Sequence, residues 1–97
     1  IPLTFSKSHP IMTGINKLHE GVTICRPTSV PPPLQVLATS SDNHPNIMYV
    51  NETPTTGRVI IDCGFTKLFQ QTWNTAGTAR YVSNSTCWLS GFAYDNT

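Results

Sequence analysis

The sequence predicts an α/β fold of about four to five strands with a closing C-terminal helix at about 75–93. One observation behind this prediction is the continuous apolar run Val59-Ile60-Ile61, which follows Gly57 and has the composition of a buried strand. The other is the helical periodicity of apolar side chains near the C-terminus. A buried strand followed by a docking helix indicates further strands beside it, as in a layered α/β domain.

The first third of the chain is predicted to be extended. Leu3 and Phe5 alternate with polar residues, which favours a short strand or an extended arm. The β-branched stretch at 22–25 predicts a strand that ends before Pro27. The prolines at 31–33 fix their own φ and keep the preceding residues out of the helical region, so we expect a stiff connector there.

Three strands are predicted in the middle of the chain, at 34–39, 47–50 and 59–61. The polar turn at 40–45 separates the first two, and the stretch at 51–57 connects the second to the third. Because the third strand is apolar at consecutive positions, we expect it to be central and covered on both faces.

The C-terminal helix is predicted to dock through one apolar face. At about 100° per residue, this face contains Ala79, Val82, Thr86, Leu89 and Ala93, with Trp88, Phe92 and Tyr81 along its edge. The opposite side is expected to face solvent or a partner and contains Arg80, Asn84 and Cys87. The predicted core joins this helix to the third strand through Val59, Ile60, Ile61, Val82, Leu89 and Phe92.

Length and composition limit the classes of function. With 97 residues the chain is a single domain, or the C-terminal fragment of a larger α/β domain. A formal net charge of +1, with scattered lysines and arginines, gives no basic patch for nucleic acid. No apolar run is long enough to span a bilayer.

The cysteines, histidines and carboxylates form no recognisable catalytic, cofactor or metal motif. Cys25, Cys63 and Cys87 are too far apart in sequence for a metal-binding pair, so we expect no metal and no cofactor. Cys25 and Cys63 end predicted strands and are expected to be small buried hydrophobes. Cys87 is expected to be an exposed thiol or part of a disulfide. Asp62 is expected to cap a loop.

Two kinds of carbohydrate site are predicted. Asn51 and Asn84 each begin an N-glycosylation acceptor sequence, in a predicted connection and on the outward face of the helix. Trp73 is a candidate carbohydrate platform, because its indole can stack on a sugar ring while Gln70, Gln71 and Asn74 bind the hydroxyls. These features favour an extracellular location over a cytoplasmic one.

Several short phrases, taken in order, resemble the C-terminal half of the class I glutamine-amidotransferase-like superfamily, especially its ThuA-like branch. They are His9-Pro10 with Gly14, the stretch at 37–42, the stretch at 57–65, and Arg80-Tyr81 with Trp88-Leu89. The resemblance implies a flavodoxin-like layered sheet. Enzymes of that superfamily place a cysteine on a Gly-x-Cys-x-Gly elbow, which this chain lacks, and Ile11 follows His9-Pro10 where their histidine motif has Glu. No catalytic residue is therefore assigned.

Three functional hypotheses follow from the sequence. The first is a non-catalytic structural or interaction module that docks through an apolar sheet face and the C-terminal helix, onto a partner protein or the rest of its own polypeptide. The second is part of an amidotransferase-like hydrolase whose nucleophile lies upstream of residue 1, with His9 or His44 contributed by this chain. The third is a secreted glycoprotein, matrix protein or carbohydrate-binding module.

Overall fold

The chain has an α/β fold in which, among the described residues, a four-stranded antiparallel sheet packs against a C-terminal helix. The computed structural model describes residues 2–6, 8–22, 24–69, 73 and 77–91. The strands are β1 (Thr4–Phe5), β2 (Gln35–Thr39), β3 (Pro45–Val50) and β4 (Val59–Asp62). The helix is α1 (Thr78–Leu89), and two short 3₁₀ helices cover Pro10–Met12 and Phe65–Leu68.

The sheet is a meander in which each strand pairs with the next along the chain, in the order β1-β2-β3-β4. The connections from β2 to β3 and from β3 to β4 are short, so neighbouring strands must run antiparallel, whereas a parallel pair needs a long crossover. The strands predicted at 34–39, 47–50 and 59–61 are confirmed within a few residues. Of the two alternatives for the segment around Leu3 and Phe5, a short strand or an extended arm, the structure has the strand. The flavodoxin-like layering is not confirmed.

The strand predicted at 22–25 is wrong for the described residues of that segment, none of which lies in a strand. The backbone N–H of Val22 donates to the Thr66 hydroxyl at 2.8 Å. The N–H of Cys25 donates to the Cys63 carbonyl at 2.7 Å. These separate contacts hold the segment at the end of β4 without forming a regular ladder, and Val22 remains 77% exposed.

The core lies between one face of the sheet, the helix and the segment at 10–18. Its buried apolar side chains belong to Leu3, Ile11, Met12, Ile15, Leu18, Leu37, Ala38, Ile47, Tyr81 and Trp88. Of the predicted core triplet in β4, only Ile60 packs against this cluster. The prediction that Val59 and Ile61 are buried is wrong, because β4 is the last strand of the described sheet and its other face stays open.

The helix docks through a different face from the predicted one. Thr78, Tyr81, Asn84 and Trp88 are buried, while Leu89 is 46% exposed. Val82 packs only partly, Ala79 and Thr86 are exposed, and 92–93 lie outside the described residues. Turning the helix this way buries two large aromatic side chains one heptad apart, which removes more apolar surface from water than the smaller residues of the predicted face.

Among the described residues, no helix is both long and apolar enough to cross a membrane.

Candidate functional site

A lysine with no exposed surface lies at the centre of a buried polar cluster. Lys67 belongs to the second 3₁₀ helix, and its ammonium group donates to Asn46 Oδ1 at 3.0 Å and to the Gly64 carbonyl at 2.9 Å. It also contacts Asp62 Oδ1, with which it forms an ion pair. A buried charge requires such partners, because burying it without them would be very unfavourable.

Asp62 connects this cluster to the helix. Its Oδ1 accepts the backbone N–H of Gly64 at 2.8 Å, which confirms the prediction that Asp62 caps a loop. Its Oδ2 accepts a 2.7 Å hydrogen bond from the Tyr81 hydroxyl. One carboxylate therefore joins the end of β4, the second 3₁₀ helix and the first turns of α1.

The cluster also holds the segment at 20–22 against the sheet. The Asn46 side chain donates to the Glu20 carbonyl at 3.2 Å, and Glu20 Oε1 accepts the backbone N–H of Ser41 at 3.0 Å. Gly64 fits tightly below this segment, since a Cβ atom there would lie 1.9 Å from the Glu20 carbonyl oxygen. The segment and the loop that follows β4 therefore lie in close backbone contact.

Burial shifts the ionisation of the cluster in two directions. Burial lowers the pKa of Lys67, and the neighbouring Asp62 opposes this shift. Burial raises the pKa of Tyr81 well above its ordinary value, and the charge and hydrogen bond of Asp62 raise it further. Tyr81 is thus a neutral donor to Asp62 throughout the ordinary pH range.

The geometry assigns this cluster a positioning role. A catalytic group has to contact its substrate, but the Lys67 side chain is 0% exposed and the Asp62 side chain only 15% exposed. Tyr81 and Lys67 both direct their polar atoms at Asp62. The cluster fixes the second 3₁₀ helix and the helix α1 relative to β4.

A second polar contact, between Arg58 and Trp88, holds the other end of the helix. Arg58, just before β4, donates to the carbonyl of Trp88 at 2.5 Å, and its guanidinium lies 4.9 Å from the centre of the Trp88 ring. With the bond between Tyr81 and Asp62, this contact holds α1 alongside β4 at both ends of the strand.

A cavity of about 200 Å³ lies along β4, between the Tyr81–Asp62 contact and the Arg58–Trp88 contact. Its rim is open to solvent, since Leu68 and Leu89 are 40% and 46% exposed. The Ser85 hydroxyl in its lining has no hydrogen-bond partner among the described residues. We call this cavity, together with β4, the edge groove; the cavity is lined by Ile60, Asp62, Leu68, Tyr81, Val82, Ser85, Thr86 and Leu89.

The strand that borders the cavity is at the end of the sheet. Within the described part of the chain, β4 pairs with β3 and with no other strand, so its second edge is not part of a ladder. Val59 and Ile61 are on the face away from the helix and are 44% and 38% exposed. Apolar side chains therefore flank this edge on both faces of the sheet.

The two predicted glycosylation residues lie in different environments. Asn51 is exposed and directly follows β3, as expected. The expectation that Asn84 faces solvent is wrong: it is 1% exposed, and its amide donates to the carbonyls of Ile11 at 2.9 Å and Thr13 at 2.7 Å. The Asn84 side chain therefore attaches the helix to the N-terminal segment.

The cysteines also differ from the expectations. All three are free thiols in the structure. Cys25 is exposed and Cys63 half-buried, so the prediction that both are buried hydrophobes is wrong. Cys87, predicted to be an exposed thiol or part of a disulfide, is a half-buried free thiol in the structure.

The remaining candidates are not brought together. Trp73 is half-buried, and the predicted sugar-binding partners at 70, 71 and 74 lie outside the described residues. His9 packs against the rings of Tyr49 and Trp88, at centroid distances of 4.4 and 5.3 Å. His44 lies beside Asp42 in the turn between β2 and β3.

The sequence reasoning missed Lys67 and misjudged Tyr81. A lysine normally directs its ammonium group to solvent, and its neighbours Thr66 and Leu68 carry no signal to the contrary, so nothing local marks Lys67 as buried. Tyr81 was placed at the edge of the helix face. Its partner Asp62 is 19 positions earlier, and only the folded chain brings them together.

Comparisons with known proteins identify no relative: no family profile, curated protein or solved structure matches the chain. No group of three or more His, Cys, Asp or Glu side chains that could hold a metal ion occurs in the described residues.

Proposed function

We propose that this protein is a non-catalytic interaction module that binds an extended apolar segment of a partner polypeptide along β4. The observation that supports this most directly is a sheet edge that no other strand of the described residues pairs with, and that has exposed apolar side chains on both faces of the sheet. An added strand is a common way in which proteins recognise extended peptides.

The backbone of β4 supplies the first part of the recognition. A terminal strand presents N–H and C=O groups that are not used within the sheet, and an extended segment has the matching spacing of donors and acceptors. Main-chain hydrogen bonds of this kind give affinity with little dependence on sequence.

The side chains on the two faces of the sheet supply specificity. Successive residues of an added strand point to opposite faces, so one set would enter the cavity on the helix side. The other set would lie over Val59 and Ile61. The cavity volume of about 200 Å³ suits an apolar side chain.

The charges near β4 do not protect its edge. Natural edge strands are often protected from pairing by lysines, prolines or inward-pointing charges. The sequence of β4, Val59-Ile60-Ile61-Asp62, has one charged residue, and its carboxylate is engaged by Lys67, Gly64 and Tyr81. As far as the described residues show, the edge is therefore available to a partner strand.

The polar contacts at both ends of the helix support binding, because they form the groove before a partner binds. A groove that is already formed loses less conformational freedom when a peptide binds. The contacts of Tyr81 with Asp62 and of Arg58 with Trp88 fix α1 beside β4 before any partner arrives.

The test is a selection of peptides of about ten residues from a random library displayed on phage, with the immobilised full chain as the target. We expect selected sequences with apolar residues at alternate positions, and dissociation constants on the order of 1–100 μM by titration calorimetry. Leu89→Asp, in the cavity lining, and Ile61→Lys, on the strand edge, should each weaken binding at least about tenfold.

Val22→Asp is the matched control, because Val22 is also exposed and apolar but lies outside the edge groove. Its affinity should equal that of the wild type, and circular dichroism should show that all three variants remain folded. Selected peptides without apolar residues at alternate positions would contradict the proposal. So would an equal loss of peptide affinity in all three variants. Dimerisation of the chain through β4 at micromolar concentration would replace the external partner with a second copy.

The secreted-glycoprotein hypothesis is supported only at Asn51, which is exposed in a connection. The amidotransferase-like hypothesis depends on residues upstream of residue 1 and gains no support from the positions of His9 and His44, which face different neighbours.

A further inference from the structure

Cys25 and Cys63 are 38 positions apart in sequence but are joined by a backbone hydrogen bond. The N–H of Cys25 donates to the carbonyl oxygen of Cys63 at 2.7 Å. A backbone nitrogen lies about 1.5 Å from its own Cα, and a carbonyl oxygen about 2.4 Å from its own Cα. The two Cα atoms can therefore be at most about 6.6 Å apart, which is within the range found in disulfides.

The surroundings of the two thiols favour reaction of Cys25 first and of Cys63 second. Cys25 is exposed, so a dissolved oxidant can reach it, whereas Cys63 is half-buried. Burial raises the pKa of Cys63, and the neighbouring Cys25 and Asp62 raise it further. Cys63 is consequently the poorer first nucleophile and is better suited to the second, intramolecular step.

We propose that Cys25 and Cys63 are the site of an intramolecular disulfide, formed by exchange with a small-molecule disulfide such as oxidised glutathione. The Cys25 thiolate attacks one sulfur of glutathione disulfide, forming a mixed disulfide and releasing one glutathione thiolate. Cys63 then loses its proton and attacks Cys25 Sγ, which releases the second glutathione. Two protein thiols are oxidised, and one glutathione disulfide is reduced to two thiols.

The bond would fasten the segment at 20–25 to the end of β4. This segment already contacts the residues that follow β4, through the close approach of the Glu20 carbonyl to Gly64 and the hydrogen bond from Val22 to Thr66. The cross-link would thus reinforce an existing contact of the buried polar cluster. This proposal does not depend on the proposed function, because neither cysteine lines the cavity of the edge groove.

The test is the intact mass of the folded full chain after incubation with oxidised glutathione and alkylation with iodoacetamide, before and after reduction. The wild type should take up one alkyl group when oxidised and three when reduced. The Cys87→Ser variant should take up no alkyl group when oxidised and two when reduced. Peptide mapping should identify the linked pair as 25 with 63. The oxidised wild type should melt roughly 10 °C higher than the reduced form.

Cys25→Ser and Cys63→Ser, compared with the matched control Cys87→Ser, should abolish both the mass difference and the rise in melting temperature. Three alkyl groups on the oxidised wild type would overturn the proposal. A mixed disulfide that persists at Cys25, or a bond that includes Cys87, would overturn it as well.

Discussion

The hydroxyl of Tyr81 donates a 2.7 Å hydrogen bond to the carboxylate of Asp62, which also forms an ion pair with the fully buried Lys67. This contact joins the first turns of the helix to the end of β4. Arg58 makes the corresponding contact at the other end, through the Trp88 carbonyl and ring. The position of the helix beside β4, and with it the shape of the edge groove, depends on these two polar contacts.

Removing the Tyr81 hydroxyl should measurably destabilise the fold. Tyr81→Phe keeps the ring in the core but takes a donor from a carboxylate that is largely shielded from water. Hydrogen bonds to charged groups contribute about 1.5–3 kcal/mol, and we expect a loss of that size in urea denaturation. Tyr49→Phe is the control: its hydroxyl donates to Gln35 at the surface, so its loss should be under about 0.5 kcal/mol.

The same hydroxyl should make stability depend on alkaline pH. The pKa of Tyr81 is raised in the folded chain, so between about pH 10 and the folded pKa the unfolded chain has lost a proton that the folded chain retains. Stability from this group is complete below pH 10 and falls as the pH rises above it. The stability difference between wild type and Tyr81→Phe should therefore shrink above pH 10, by at most about 1.4 kcal/mol per pH unit.

This pH dependence can be checked by urea denaturation at several alkaline pH values, with tyrosinate absorbance of the native protein as a second readout. One phenol should titrate only when the protein unfolds, and it should be missing in Tyr81→Phe. A constant stability difference across the range would contradict the assignment of Tyr81 as a buried neutral donor.

Loss of the Lys67 charge should be far more damaging than loss of a surface charge. Lys67→Met leaves the shielded Asp62 carboxylate without its cation, and breaking one side of a buried ion pair costs about 3–5 kcal/mol. Arg26→Met is the comparison, because Arg26 pairs with Asp42 at the surface, where both side chains are exposed and screened by solvent. We expect no measurable change for Arg26→Met; equal effects of the two substitutions would show that Lys67 is not enclosed.

The close contact below Gly64 gives a second matched pair of variants. Gly64→Ala would place a methyl group 1.9 Å from the backbone carbonyl of Glu20, so the segment at 20–22 would have to move. We expect a loss of about 3 kcal/mol or more in thermal or urea unfolding. Gly57→Ala has no atom within 4 Å of the added methyl group and should be neutral or slightly stabilising.

Local sequence patterns predicted the elements better than their surroundings. The strands β2, β3 and β4 were predicted because short β-branched runs lie between polar turns, and these signals are contained in adjacent residues. The exposure of Val59 and Ile61 could not be predicted, because it depends on the face of the sheet away from the helix being left uncovered by the described residues. Apolar periodicity alone also predicted the wrong helix face. It does not take into account that Tyr81 and Asn84 can be buried when they form hydrogen bonds, here with Asp62 and with the Ile11 carbonyl.

Asn84 provides the test of that corrected helix face. Asn84→Ala would remove the amide that donates to the carbonyls of Ile11 and Thr13, leaving buried acceptors without this donor. We expect a loss of about 2–4 kcal/mol in urea denaturation. Asn51→Ala is the control at the other acceptor sequence and should change stability by less than about 0.5 kcal/mol, since Asn51 is exposed.

The same two residues give opposite expectations for glycan attachment. When the chain is expressed through a eukaryotic secretory pathway, the folded product should carry glycan at Asn51 and not at Asn84, because a sugar on the Asn84 amide would displace its contacts with Ile11 and Thr13. Asn51→Gln should then abolish the mass lost on enzymatic deglycosylation, while the mass lost by Thr86→Ala should equal that of the wild type. A folded, soluble product with glycan at Asn84 would show that the helix does not dock through this residue.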